Sequence, residues 1–177
     1  MNFTKRVIGI ATISALTLAP VAVSAATATF TATAEIVNAI TVTKVTNLSF
    51  GKIAASTGSS TVEINAAGVR SVTAGTAALA AGTVSRAEFT IQGANGQTAD
   101  ISVPTAFTMA NGGDTMAVAI NLNTQSSGMT ATGAGTATLA LTGAAQTVRF
   151  GGSLTVGASQ AAGAYASANQ NFDVVYQ

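Results

Sequence analysis

The side chains able to do acid–base work in this sequence are six carboxylates: Glu35, Glu63, Glu88, Asp100, Asp114 and Asp173. Each stands alone along the chain. A hydrolase built on carboxylates needs two of them in one cleft, with the pKa of one raised. Glu88 and Asp100 suggest such a pair, because Asn95-Gly96 between them reads as a tight hairpin that would set their strands side by side. The plainer reading is two solvated surface carboxylates screened by Arg86. Ser and Thr abound, yet no G-x-S-x-G turn is present and no His could activate a hydroxyl. Without Cys or His there is no thiol nucleophile, imidazole base, zinc finger, haem ligand or iron–sulfur cluster. Gly112-Gly113-Asp114 shares letters with a calcium loop but lacks the alternating acidic ligands, and is read as a turn. The sequence therefore predicts no enzyme: no catalytic residue, no cofactor and no metal ligand.

Charge narrows the field further. Seven basic residues against six acidic ones give a formal net charge of +1, so nothing points to a nucleic-acid partner held by counterion release. Of the 177 residues 48% are hydrophobic, but much of this is Ala and Val interleaved with Thr. After the N-terminus no run reaches the roughly 18 apolar residues that a spanning helix needs. Residues 1–25 have a secretory layout: Lys5 and Arg6, a mostly apolar Val7 to Leu18, the helix breaker Pro20, and Val23-Ser24-Ala25 as a small-residue cleavage site. A short anchoring helix is the alternative. Removal of this signal peptide leaves five basic side chains (Lys44, Lys52, Arg70, Arg86 and Arg149) on a nearly uncharged exported protein. Such a surface is a poor solubility shield unless much of it lies against other subunits. With no Cys, stability must come from one core, from assembly, or from both.

The elements that would position any site are strands. Ala26 to Ala34 alternates strictly, Ala or Phe30 at even positions and Thr at odd ones, and the parity continues through Ile36, Ile40 and Val42. Further runs rich in Thr and Val lie at Leu48 to Ile53, Ser60 to Asn65, Val69 to Thr73, Ala87 to Gln92, Thr98 to Val103 and Met116 to Leu122. Late runs lie at Ala137 to Leu141, Thr147 to Val156 and Asn171 to Tyr176. Turn residues separate them: Gly75, Asn95-Gly96 and Asn111-Gly112-Gly113-Asp114, while Gly151-Gly152 interrupts or bulges a late strand. Ala77 to Ala81 has weak helical leanings and is read as a turn; residues 56–60 and 125–135 are read as long loops or an edge hairpin.

Many short strands predict an all-β fold: a single immunoglobulin-like antiparallel β-sandwich of about seven to ten strands over residues 35–177. Its expected core is Ile40, Val42, Leu48, Phe50, Phe89, Ile91, Ile101, Val103, Val118, Ile120, Leu122, Leu139, Leu141, Leu154, Val156, Phe172, Val174 and Tyr176.

Two features stand out, one at each end. Ala26, Ala28, Phe30, Ala32 and Ala34 give the N-terminal segment one apolar face, so residues 26–34 could be donated to a neighbour's sheet or serve as the domain's own first strand. At the other end Phe172, Val174 and Tyr176 alternate, Tyr is penultimate, and Gly163 stands fourteen residues before Gln177. This ending resembles that of fimbrial subunits secreted by the chaperone–usher route, although an ordinary last strand would also end so. The resemblance implies a strand gripped by a periplasmic chaperone, with an usher as a further partner. A wider resemblance is to the bacterial secreted family known as domain of unknown function 4402. It is carried by Ile40-Thr41-Val42-Thr43, Leu48-Ser49-Phe50-Gly51-Lys52-Ile53-Ala54, Arg70-Ser71-Val72-Thr73, Ala87 to Gly93, Asn111 to Met116, Phe150 to Val156 and Gln160 to Tyr165. The chain departs from that family at Ala99, where an aromatic residue is frequent, and the departure touches packing rather than chemistry.

Taken together these readings lead to an expectation: an exported, non-enzymatic structural or adhesive subunit of a pilus-like surface filament, polymerising with itself or with other subunits. The periplasm would be its transit and the cell surface its destination. The alternative is a soluble secreted module binding carbohydrate or a surface. Two Tyr and no Trp leave few platforms for stacking sugars.

Overall fold

Thr and Val at alternate positions favour an extended, pleated backbone, because β-branched side chains pack best on a half-buried sheet surface. In the computed structural model, which describes residues 25–122 and 128–177, strands are the only regular elements among the described residues. They are β1 (Thr41–Thr46), β2 (Lys52–Ala54), β3 (Ser60–Ile64), β4 (Arg70–Ala74), β5 (Ala78–Ala80), β6 (Ala87–Gln92) and β7 (Thr98–Ser102). The rest are β8 (Ala106–Asn111), β9 (Asp114–Asn121), β10 (Met129–Gly133), β11 (Thr136–Ala140), β12 (Gln146–Val156) and β13 (Asp173–Tyr176). The chain divides into two units, residues up to Glu35 and residues Ile36–Gln177. All thirteen strands belong to the second unit.

They form an antiparallel β-sandwich. One sheet has seven strands and runs β1-β6-β12-β3-β4, with β9 also on β12 and β8 on β9; the other runs β10-β11-β7-β13. The eleven-residue β12 joins the larger sheet. Its first half, Gln146 to Phe150, pairs with β6, and its second half pairs with β3 and β9. At the changeover Gly151 and Gly152 lie inside the continuous strand, where a Cβ on Gly151 would run into the Ile64 carbonyl oxygen. Only glycine lets these backbones approach so closely. Between the sheets Val62, Ile64, Ile91, Ala99, Ile101, Val118, Leu139, Val148 and Leu154 are buried.

A two-stranded ribbon, β2 with β5, is held by Arg70 on β4. Its guanidinium donates to the carbonyls of Phe50 (2.6 Å), Lys52 (3.1 Å) and Ala80 (2.8 Å), which ties the ribbon and the residues leading into it to β4.

The structure corrects several expectations. Asn95-Gly96 is not a hairpin: β6 belongs to the large sheet and β7 to the small one, so Gly93 to Gln97 carries the chain from one layer to the other. Gly96 does adopt the left-handed backbone, at φ 78°, that such a turn needs. The tight hairpin lies instead at Gly112-Gly113, where Asn111 faces Asp114 between β8 and β9. Ala78–Ala80 is a strand rather than a turn, because β2 gives it a ladder partner. Residues Ala106–Asn111 form an additional strand, and Met129–Gly133 is the edge of a hairpin with β11; residues 123–127 lie outside the described residues. Thirteen strands lie among the described residues, above the seven to ten expected. Val42, expected in the core, is 41% exposed, because β1 is an edge strand whose inner side is only partly covered. The signal-peptide reading falls on residues outside those described, except for Ala25.

Candidate functional site

Residues 25–35 carry no strand, and every one of them is exposed. Phe30 is 93% exposed, so the apolar face of the alternation, with Ala26, Ala28, Ala32 and Ala34 beside it, is open. In the second unit Ile36 is 98% exposed. A segment with alternating apolar side chains and no ladder partner leaves both its backbone hydrogen bonds and its hydrophobic surface unsatisfied by protein.

The C-terminal strand β13 is the edge of the four-stranded sheet and pairs with β7 alone. Val174 and Tyr176 are half-buried and alternate with exposed Asp173 and Val175. Phe172, just before the strand, stacks on Phe89 at 4.0 Å between ring centroids and lies 6.0 Å from Phe150. The Tyr176 hydroxyl accepts from the Ala94 N–H at 2.8 Å and donates to the Asn38 carbonyl. That phenol ties the chain's end to the turn between the sheets and to the approach to β1. The structure thus places the three alternating C-terminal residues on one inner face. Gly163, the fourth residue of that group, is exposed in a stretch without strand, where a Cβ would meet the Asn111 side chain.

Before β13 the chain runs from Gly157 to Phe172 without a strand and crosses the mouth of the large sheet. Ala166 makes the one ladder-like contact of this stretch, exchanging hydrogen bonds with Ala110 of β8. Between this stretch and the large sheet lies a groove of about 1340 Å³. Its floor includes Phe89, Phe107, Met109, Met116, Phe150 and Leu154, and residues 46–55 form its other wall. Phe107, Met109 and Met116 alternate within the β8–β9 hairpin. Sequence reasoning missed this floor because β8 went unrecognised, though the Phe107/Met109 alternation carried the signal.

The expected carboxylate pair does not form. Glu88 and Asp100 lie in different sheets, which overturns the proposed pairing across a hairpin. Glu88 accepts from Arg149 at 3.0 Å and from Arg86 at 3.3 Å. The Arg149 hydrogen bond holds its carboxyl below the usual range, with Arg86 acting the same way and partial burial opposing both. A lowered pKa suits a structural ion pair, not a general acid. Among the described residues no group of three or more His, Cys, Asp or Glu could hold a metal.

Fold and surface define an all-β sandwich protein with open edges and an uncovered apolar segment. A family model described as Domain of unknown function (DUF4402) matches residues 40–176, and the chain belongs to that family. No curated protein and no solved structure matches the chain.

Proposed function

We propose that this protein is an exported, non-enzymatic structural or adhesive subunit of a pilus-like surface filament, joined to its neighbours by strand donation. The observation behind this reading is the bare apolar face of residues 26–34, with Phe30 at 93% exposure. Covering Phe30 would contribute roughly 1.5–3 kcal/mol and each Ala methyl about 0.8 kcal/mol. Main-chain pairing along nine residues supplies the rest of such a joint. The single-sided edge strand β13 and the chain's few charges support the same reading, since both suit surfaces that end up against other subunits. A chaperone and an usher that cover the C-terminal strand in transit are the further partners it implies.

Phe30→Glu, or deletion of residues 26–34, tests this. Either change leaves an unpaired carboxylate or no strand at every joint. High-molecular-weight polymer is expected to vanish, while the remaining monomer keeps a β-rich circular dichroism spectrum. Size-exclusion chromatography and electron microscopy read the result. A wild-type protein that stays monomeric at high concentration, together with a deletion that unfolds it, overturns the proposal and makes the segment part of its own domain. A soluble binding module would behave in that way.

A further inference from the structure

The geometry points to the groove before β13 as the seat for residues 26–36 of a second copy of this chain, an inference that rests on the filament reading above. One rim of the groove is open backbone. Among the described residues, 161–165 and 167–172 exchange no hydrogen bonds with other backbone groups. The Ala161 and Ala168 carbonyls accept from the Tyr165 hydroxyl and the Gln170 amide, and the remaining N–H and C=O groups of the rim can pair with another extended chain. The size agrees: about 1340 Å³ exceeds the roughly 300–1,000 Å³ of ordinary ligand pockets.

The floor has the complementary shape. Phe89, Phe150 and Phe172 form a flat stack, with interplanar angles of 5–9°. Beside it Met109 and Met116 are half-buried, and methionine repacks readily around an incoming ring. The incoming segment offers one bulky group, Phe30, flanked by alanines small enough for a strand to lie close. Charge agrees as well. Opposite charges are available on both sides: Lys44, Lys52 and Asp173 line the groove, and the segment carries Glu35 near one end and, once residues 1–25 are removed, an α-ammonium at the other.

Because the chain has no cysteine, paired cysteines report this seating without background. Ala32→Cys is placed in one full-length preparation, and Ala164→Cys or Ala168→Cys in a second. The two are mixed under assembling conditions, oxidised mildly, and run on a non-reducing gel. A disulfide needs Cα atoms within about 7 Å, a separation that a seated segment holds and a chance encounter meets only briefly. Cross-linked dimer is expected at least about tenfold above a control carrying Thr108→Cys on the outer face of β8, because seating raises the local concentration to millimolar. Polymer without a cross-link at either groove position overturns this seat and leaves the filament reading standing. So does a cross-link that forms only within single chains of a monomeric double variant, which shows a segment closing its own groove. Absence of polymer in the wild type overturns both together.

Discussion

The centre and the C-terminal side of this sandwich are built from similar residues but finish differently. Around β12 the strands β3, β6 and β9 each pair on both sides, and Val62, Ile64, Val118 and Leu154 are at most 1% exposed. Around β13 and the segment before it, one chain leaves backbone unpaired, a groove open, and Val175 at 58% exposure. Apolar side chains at alternate positions are common to both regions, Val62 and Ile64 in the one and Val174 and Tyr176 in the other. What differs is how many strands one copy can bring to the place. A region that is self-sufficient gives stability, and a region one strand short gives a means of association.

Substitutions sharpen this contrast by separating stability from assembly. The largest effect on stability is expected at the centre. Ile64→Ala should cost about 2–5 kcal/mol in urea unfolding, as buried large-to-small changes do, while whatever remains folded still assembles. A loss of assembly with unchanged stability would reverse the assignment of the two regions. Next comes the ribbon. Arg70→Ala removes three donors to carbonyls and should cost about 1–3 kcal/mol, with hydrogen exchange at residues 52–54 and 78–80 accelerating first. Uniform protection in that variant would mean that the ribbon is held by its own ladder. The smallest effect belongs to Glu88→Gln. The ion pairs are partly exposed and screened, so the loss should stay below about 1 kcal/mol. Its sign is fixed by the lowered pKa: the contribution is complete above the ordinary value of 4.5 and is lost as pH falls through the folded-state pKa. Wild type and variant should therefore converge in acid, and a gap that widens there would refute the pairing.

Much of the architecture was legible in the residues. Ala87–Gln92 forms the strand its alternation predicts, residue for residue, and β12 and β13 fall within a residue or two of their expected bounds. Local pattern fails where a partner decides. Ala78–Ala80 has no strand propensity of its own and is extended because β2 lies beside it. Asn95-Gly96 has the chemistry of a hairpin, but the inward sides of Phe89/Ile91 and Ala99/Ile101 face one another across the layers, so the turn joins sheets. The groove left only the Phe107/Met109 alternation as its signature in the chain. It exists because strands stop short over Phe107, Met109 and Met116, and the place where a strand stops is set by distant partners.

The changeover along β12 also governs the order in which the molecule can take shape. Residues 146–156 are the shared neighbour of β6, β3 and β9, segments that lie dozens of residues earlier. Until that late stretch is available the earlier strands have no central ladder to close on. Pairings so distant in sequence fold slowly and leave apolar edges uncovered meanwhile. A nascent copy therefore spends most of its synthesis as a set of unclosed strands, and its folding time is set by the arrival of one segment near the end.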